Sequence, residues 1–246
     1  MARNVVISGG GTGIGLATAR VFAADGERVL LLGRRGEVLE KAAVDGALVY
    51  AADLSRADEV RGVARLVAEE FGTVDVLVHG AGGAGHLEPP SASEDPLDRV
   101  AHDWTVNFRI NTLTAALLTE ALKDRLASPG GRVLFISSIA AYRGSGNGAY
   151  AGAKAALHPY ARDLARELGP RGITANTVAP GYIEDTGFFG EAIDPARRER
   201  LIGETFDGRA GTPGDVAATL HWLASPGAAH ITSQVVQVNG GAERGS

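Results

Sequence analysis

The sequence predicts an α/β fold: a doubly wound parallel sheet of about seven strands with helices on both faces. Three observations predict it. Short β-type runs alternate with amphipathic stretches along the whole chain. Most of those runs are apolar enough to be covered on both faces. Glycines gather at the joins between elements instead of in repeats. Strict alternation of this kind requires right-handed crossovers, which lay helices on both sides of a parallel sheet.

The first run, NVVIS, passes through SGGGTGIG into an amphipathic stretch over 13–25. RVLLLG precedes a helical pattern over 35–44, ALVYAAD one over 56–71, VDVLVHG one over 98–127 and GRVLFIS one over 148–169. ITANTVAP is followed by a long connection, 182–212, and then by a helical pattern over 213–224; QVVQVNGG is the last strand candidate. No linker rich in Pro, Ser or charge divides the chain, so residues 1–246 read as a single domain, with 182–212 as its longest connection.

Composition excludes several functions. The 24 basic and 29 acidic residues are scattered, giving a net charge of -5 and no basic footprint for nucleic acid. No apolar stretch approaches the ~18 residues of a membrane span, and the N-terminal segment does not look like a secretory signal. A cytoplasmic protein without membrane contact is expected. The absence of cysteine removes thiolate nucleophiles and cysteine-ligated metals. The histidines, among them His79 and His86, form no HExxH pair, so no metal site is expected.

SGGGTGIG sits between a strand and a helix, the context in which a glycine turn cradles a phosphate. A tight strand–helix turn would account for the glycines alone, and their spacing (Gly9, three residues, Gly13, one residue, Gly15) is not the common G-x-G-x-x-G. The end of the second strand supplies a further clue. A carboxylate there would bind ribose hydroxyls and repel a 2′-phosphate. The chain has Gly33-Arg34-Arg35 instead. Two readings fit these arginines: solvated surface cations, or ligands of a 2′-phosphate through charge-assisted hydrogen bonds. The second sets an expectation of NADP(H).

AYAGAKAAL places Tyr150 and Lys154 four apart on a helical pattern, so both project from one face. A phenol titrates near 10, and a neighbouring cation lowers that value towards a useful range. A tyrosine packed on its own helix, with a lysine at the rim, is the structural alternative.

SGGGTGIG, the aspartate of AADL, RINTL, FISSIAA, YAGAK and VAPGYIEDT occur in the order and approximate spacing of the short-chain dehydrogenases/reductases, and the chain resembles that family from Asn4 to about Gly241. The resemblance implies a Rossmann fold and hydride transfer between NADP(H) and a carbonyl or secondary alcohol. Carbonyl reduction is the expected direction, of a ketone or a 3-oxoacyl thioester as in 3-oxoacyl carrier-protein reductases. Oxidation of an alcohol, or dinucleotide sensing without turnover, are the alternatives.

It further implies catalytic roles for Asn111, Ser138, Tyr150 and Lys154. Tyr150 resembles the general acid, Lys154 the residue that lowers its pKa and holds ribose hydroxyls, Ser138 the serine on the substrate oxygen, and Asn111 the holder of a relay water. Ser138 stands twelve positions before Tyr150 where thirteen is expected, so Ser137 stays as a weaker candidate; Asn107 is the confounder of Asn111.

Cofactor contacts are implied for Gly9, Gly11, Thr12, Gly13, Ile14, Gly15, Arg34 and Arg35. The same holds for Asp53 and Leu54 at the adenine, for Ala81 and Gly82, for Tyr150 and Lys154, and for Pro180, Gly181, Ile183 and Thr186 at the carboxamide. A helix cap at Asp53 or Ser55 is the alternative for the adenine residues. The family's Asn-Asn-Ala-Gly is replaced by His79-Gly80-Ala81-Gly82, which implies a less well braced loop and weaker cofactor affinity. Phe188, Phe189, Ile193 and Leu201 are expected to offer apolar contact to substrate, with anchoring of the loop as the alternative for the two phenylalanines. Arg125, Arg143, Arg162 and Arg166 are candidates for meeting an acidic carrier protein, against the alternative of a solvated face. A homotetramer packed through the 98–127 and 148–169 helices is also implied.

Overall fold

Along Asn4–Ser8 (β1), strand alternation sends Val5 and Ile7 to one face of the sheet and Val6 to the other, and all three are fully buried. A strand that is apolar on both faces belongs at the centre of a sandwich of helices. The computed structural model, which describes residues 2–42, 44–85, 88–188 and 193–245, places it there. In chain order the first half comprises β1, α1 (Gly13–Ala24), β2 (Arg28–Gly33), α2 (Gly36–Lys41), β3 (Leu48–Ala51), α3 (Ala57–Glu70), β4 (Val76–His79), α4 (Pro96–Phe108) and α5 (Thr114–Leu122). The second half comprises β5 (Arg132–Ile136), α6 (Ala140–Arg143), α7 (Gly148–Ala155), α8 (Leu157–Leu168), β6 (Thr174–Pro180), α9 (Pro195–Gly203), α10 (Pro213–Leu223) and β7 (Val235–Val238).

All seven strands pair in parallel in the order β3-β2-β1-β4-β5-β6-β7. Val5 stands opposite Val29 on one side and Val76 on the other. Phe22, Leu39, Val216 and Leu220 bring α1, α2 and α10 onto the face that holds Ile7, Leu31 and Val78. Val63, Leu118 and Leu164 bring α3, α5 and α8 onto the opposite face, over Val6, Leu77 and Phe135. The order of strands reverses between β1 and β4, and the carboxyl ends at that point open a cleft.

Three helical patterns differ from the sequence expectation, each for a local reason. The stretch over 98–127 is two helices joined by a π-helical turn, Arg109–Leu113, and followed by a 3₁₀ turn, Lys123–Arg125. It begins earlier than expected because Pro96 takes the first helical position and the Asp95 carboxylate caps the Leu97 N–H at 2.7 Å. The stretch over 148–169 breaks at Ala156. Pro159 lacks the N–H that a continuous helix would direct to the Ala155 carbonyl, so the helix restarts at Leu157 with the proline in its first turn. The 182–212 connection contains α9, whose Asp194 cap accepts from the Arg197 N–H at 3.0 Å with Pro195 behind it.

Candidate active site

The cleft at the carboxyl ends encloses about 1520 Å³, above the ~300–1000 Å³ usual for a single small ligand. Its floor is the turn between β1 and α1. Gly9 has a φ of 69°, and a Cβ there would stand 2.6 Å from the Gly80 carbonyl carbon; a Cβ on Gly15 would collide with the Gly9 carbonyl oxygen. The turn therefore closes only with glycine at both positions. Thr12 precedes α1 in an extended conformation without capping it, and the first turn of α1 holds no acidic residue. The positive end of this helix is left to whatever occupies the cleft.

Arg34, Arg35, Asp53 and Leu54 line one end of the cleft. The Asp53 carboxylate accepts from the Ser55 N–H at 3.0 Å and from the Ser55 hydroxyl at 2.7 Å, while Arg56 precedes α3. Asp53 thus shapes a turn and does not cap the helix. Arg34 bonds Glu88 at 2.7 Å, and Arg109 reaches the other oxygen of Glu88 at 3.1 Å. The hydrogen bond from Glu88 is the largest of the influences that together raise the Arg34 pKa. No ion pair holds Arg35 among the described residues.

α7 carries the Tyr150–Lys154 pair on one face, as the spacing predicts. Asn147 caps the helix by accepting the Tyr150 N–H at 3.0 Å, which fixes the start of the turn bearing the phenol. Gly152 between them admits Trp104 of α4; a Cβ there would lie 2.9 Å from the indole. Tyr150 and Lys154 are both buried and both line the cleft.

The Tyr150 hydroxyl bonds the Ser138 side chain, and its ring lies 5.3 Å from that of Phe188. The Ser137 hydroxyl donates to the Lys154 carbonyl at 3.0 Å and accepts from His158 Nε2 at 2.8 Å. Of the two serines, Ser138 is the one joined to the phenol.

One expectation needs correction. Burial pushes the Tyr150 phenol up to about 12, against the opposing effect of the Ser138 hydrogen bond, so it is not acidified in this structure. Burial also pushes Lys154 down to about 8, and its Nζ donates to the Ile136 carbonyl at 2.8 Å. The cation is held by the end of β5.

The segment after β4 is braced differently from the expectation as well. The imidazole of His79 is buried, stacks on Phe135 at 4.6 Å and bonds the Thr119 hydroxyl at 2.9 Å through Nε2, behind the sheet. Bracing comes instead from the junction between α4 and α5. Asn107 accepts from the Gly85 N–H at 3.2 Å, and Asn111, in the π-helical turn, bonds both the N–H and the carbonyl of Gly83 at 3.0 Å. Both asparagines thus hold the same segment, and Asn111 also donates to the Asn107 carbonyl at 3.0 Å. A Cβ on Gly82 would stand 2.5 Å from Asn111 Oδ1 and 3.0 Å from Lys154 Nζ. Asn111 lies behind Gly82 and is the one residue of the expected catalytic and cofactor set that does not line the cleft.

Pro180, Gly181, Ile183 and Thr186 form the opposite wall. A bridge between Ile183 and Gly211 pins the two ends of the 182–212 connection together. One face of α9 turns Arg197, Arg200, Leu201 and Glu204 to the cleft, and Glu204 pairs with Arg143 of α6 at 2.6 Å. Ile193 is not among the lining residues, and Phe189 and His86 lie outside the described residues. Arg143 lines the cleft; Arg125, Arg162 and Arg166 do not. Sequence reasoning missed Glu88, Arg109, Arg197 and Arg200. Only the Asp-Pro pair before α9 offered a signal, since it marks a helix start.

A reversed-order parallel sheet with a glycine turn at its switch point defines the dinucleotide-binding class of α/β proteins. The chain belongs to the short-chain dehydrogenase/reductase family, a family of NAD(P)(H)-dependent oxidoreductase enzymes. Residues 9–243 match the family model described as enoyl-(acyl carrier protein) reductase. The chain is 35% identical to the 3-oxoacyl-[acyl-carrier-protein] reductase MabA of Mycobacterium tuberculosis, over 98% of this chain and 93% of that protein. It is 31% identical to the 3-oxoacyl-[acyl-carrier-protein] reductase FabG of Vibrio cholerae, over 96% and 95%. Its fold superposes on a crystal structure of a short-chain dehydrogenase/reductase, glucose/ribitol dehydrogenase, from Brucella melitensis with a TM-score of 0.84, at 30% identity over 98% and 97% of the two chains.

The cleft fits such a cofactor on its own chemistry. The uncapped positive end of α1 suits a pyrophosphate, and the Cβ-free floor lets it approach the backbone. Among the described residues no group of His, Asp or Glu is arranged to hold a metal ion, and no helix is long and apolar enough to cross a membrane.

Proposed function

We propose that this chain is an NADP(H)-dependent carbonyl reductase acting on a ketone or 3-oxoacyl thioester. The observation that carries this reading is the buried Tyr150 hydroxyl, bonded to Ser138 one helical turn from Lys154 and open to the cleft. NADP(H) supplies the hydride when bound. Tyr150 donates its proton to the substrate oxygen as that oxygen gains charge. Raised by burial, the phenol is protonated at neutral pH, the state an acid requires.

Ser138 keeps the oxygen within reach of the phenol, at the cost of its present bond to Tyr150. Lys154, anchored on Ile136, sets a positive charge behind Gly82, next to where ribose hydroxyls would lie. Asn111 holds the Gly82–Gly83 backbone against that lysine and stands where a relay water could pass to it. The π-helical turn that presents it is the kind of helix bulge common at functional sites.

The preference for NADP(H) is supported by Arg34 and Arg35 on the cleft wall and by the free charge of Arg35. The names of the mycobacterial and vibrio relatives support a 3-oxoacyl thioester on a carrier protein, with Arg143 as the cation at the mouth. The 182–212 connection, tied at its base and presenting one face of α9, acts as the cover over substrate. Leu97, Val100, Trp104 and Phe108 form an exposed apolar stripe on α4, which supports packing against a second copy in a homotetramer. A cytoplasmic location completes the reading.

Two measurements test it. Tyr150→Phe is expected to bind NADPH normally and to lose about 10²- to 10⁴-fold in carbonyl-dependent NADPH consumption. Near-normal turnover would remove the acid. Replacing Arg34 and Arg35 with alanine is expected to weaken NADPH far more than NADH in a fluorescence titration; equal losses would remove the NADP(H) preference.

A further inference from the structure

Glu88 and Arg109 stand at the end of the cleft where Arg34 lies, and neither has a part in the chemistry above. Glu88 comes from the segment between β4 and α4, Arg34 from the end of β2 and Arg109 from the π-helical turn. Three stretches distant in sequence converge on one carboxylate. Its side chain is only 9% exposed, and its two oxygens are divided between the two guanidinium groups, Oε1 to Arg34 at 2.7 Å and Oε2 to Arg109 at 3.1 Å. The hydrogen bond from Arg34 is the main cause holding the Glu88 carboxyl below its ordinary range, so it is charged at neutral pH.

We propose that Glu88 is an internal anion seated at the 2′-phosphate subsite, and that Arg34 and Arg109 form a clamp that exchanges this carboxylate for the phosphate of NADP(H). The inference rests on the NADP(H) reading above. Guanidinium groups bind carboxylate and phosphate through the same planar, charge-assisted geometry, so two that meet on one anion can meet on the other. The exchange is driven by charge, because a phosphate monoester carries nearly two negative charges at neutral pH and the carboxylate only one. It is opposed by the loss of the Glu88 pairs, a cost lowered on the arginine side because both guanidinium groups are about half-exposed, and kept on the carboxylate side because Glu88 is nearly buried.

A cofactor without the 2′-phosphate leaves the Glu88 pairs in place. Glu88 therefore sets the size of the cofactor preference: it offers both arginines a partner in the empty cleft, and the incoming phosphate must displace it. Arg109, invisible as a cofactor residue in the sequence, becomes a further cation of the subsite, beside Arg34 and Arg35. Asp53 lines the same end of the cleft, within electrostatic reach of both Arg34 and Arg109.

The test is fluorescence titration of the full-length protein with NADPH and with NADH. Glu88→Gln is expected to tighten NADPH about fivefold or more and to move NADH by less than about twofold, because one like charge beside the phosphate is removed while the shape is kept. Arg109→Gln is expected to weaken NADPH by a similar factor and to spare NADH. No change, weaker NADPH binding, or equal tightening of both cofactors in Glu88→Gln would overturn the exchange. The Arg34 and Arg35 alanine variant separates the two failures. If it loses NADPH selectively while Glu88→Gln does nothing, the NADP(H) reading stands and the clamp falls; if it fails to discriminate, the cofactor reading itself falls.

Discussion

Asn111 and Gly83 are joined twice: the Asn111 Oδ1 accepts the Gly83 N–H at 3.0 Å, and its Nδ2 donates to the Gly83 carbonyl at 3.0 Å. The second Nδ2 hydrogen goes to the Asn107 carbonyl at 3.0 Å. A single carboxamide thus ties the glycine segment after β4 to the helix that crosses behind it.

Asn111→Ala removes all three bonds and leaves the partners without a replacement. At about 0.5–1.5 kcal/mol for each, the variant is expected to lose roughly 2–4 kcal/mol of stability. The Gly83 amide should also exchange its hydrogen much faster. Urea unfolding and amide exchange check this, and a loss below about 1 kcal/mol would mean the segment is braced elsewhere.

His79 makes stability sensitive to acid. Burial pushes its pKa down to about 3, against an ordinary 6.5, so between these values the unfolded chain binds the proton and the native state does not. Stability from this group is complete above pH 6.5 and is lost as pH falls towards 3. Between pH 6.5 and 4 the loss amounts to roughly 3 kcal/mol. His79→Asn is expected to flatten that limb, whatever it does to stability at pH 7, and an unchanged slope would show that the imidazole does not titrate in this way.

Lys154 acts at the other end of the pH scale and by the same linkage. Its pKa is depressed to about 8, so below pH 8 the folded chain carries a buried ammonium. Between pH 8 and its unfolded value of about 10.4, the unfolded chain binds more protons than the native one. Stability should therefore rise with pH across this window, by roughly 2 kcal/mol from pH 8 to 10. Tyr150, raised to about 12, reverses the trend only above pH 10. Lys154→Met should remove the rise; chemical denaturation at pH 8, 9 and 10 measures it.

The α4 stripe predicts the state of association. Val100 and Phe108 are 55% and 42% exposed on the same side of the helix, where two large apolar groups have no reason to face water. Val100→Glu combined with Phe108→Glu places like charges in the proposed contact and is expected to reduce the particle mass seen by light scattering. An unchanged mass would move the interface to another face.

The alternation of seven strands with the main helical stretches, the glycine turn, the arginines after β2 and the Tyr150–Lys154 pair are all determined by the sequence alone. Each depends on local rules: period 2 in β1, a helix spacing of four in α7, and the absence of Cβ at Gly9 and Gly15. Tertiary structure decided what those rules cannot reach. Ser138 and not Ser137 meets the phenol because the Lys154 backbone and His158 claim the other hydroxyl. Arg34 pairs with Glu88, and Lys154 donates a hydrogen bond to the Ile136 carbonyl, because strand ends and crossing helices bring them together over long stretches of chain. Burial then moved the phenol and the ammonium to pKa values that spacing does not encode, since desolvation depends on the neighbours that packing supplies.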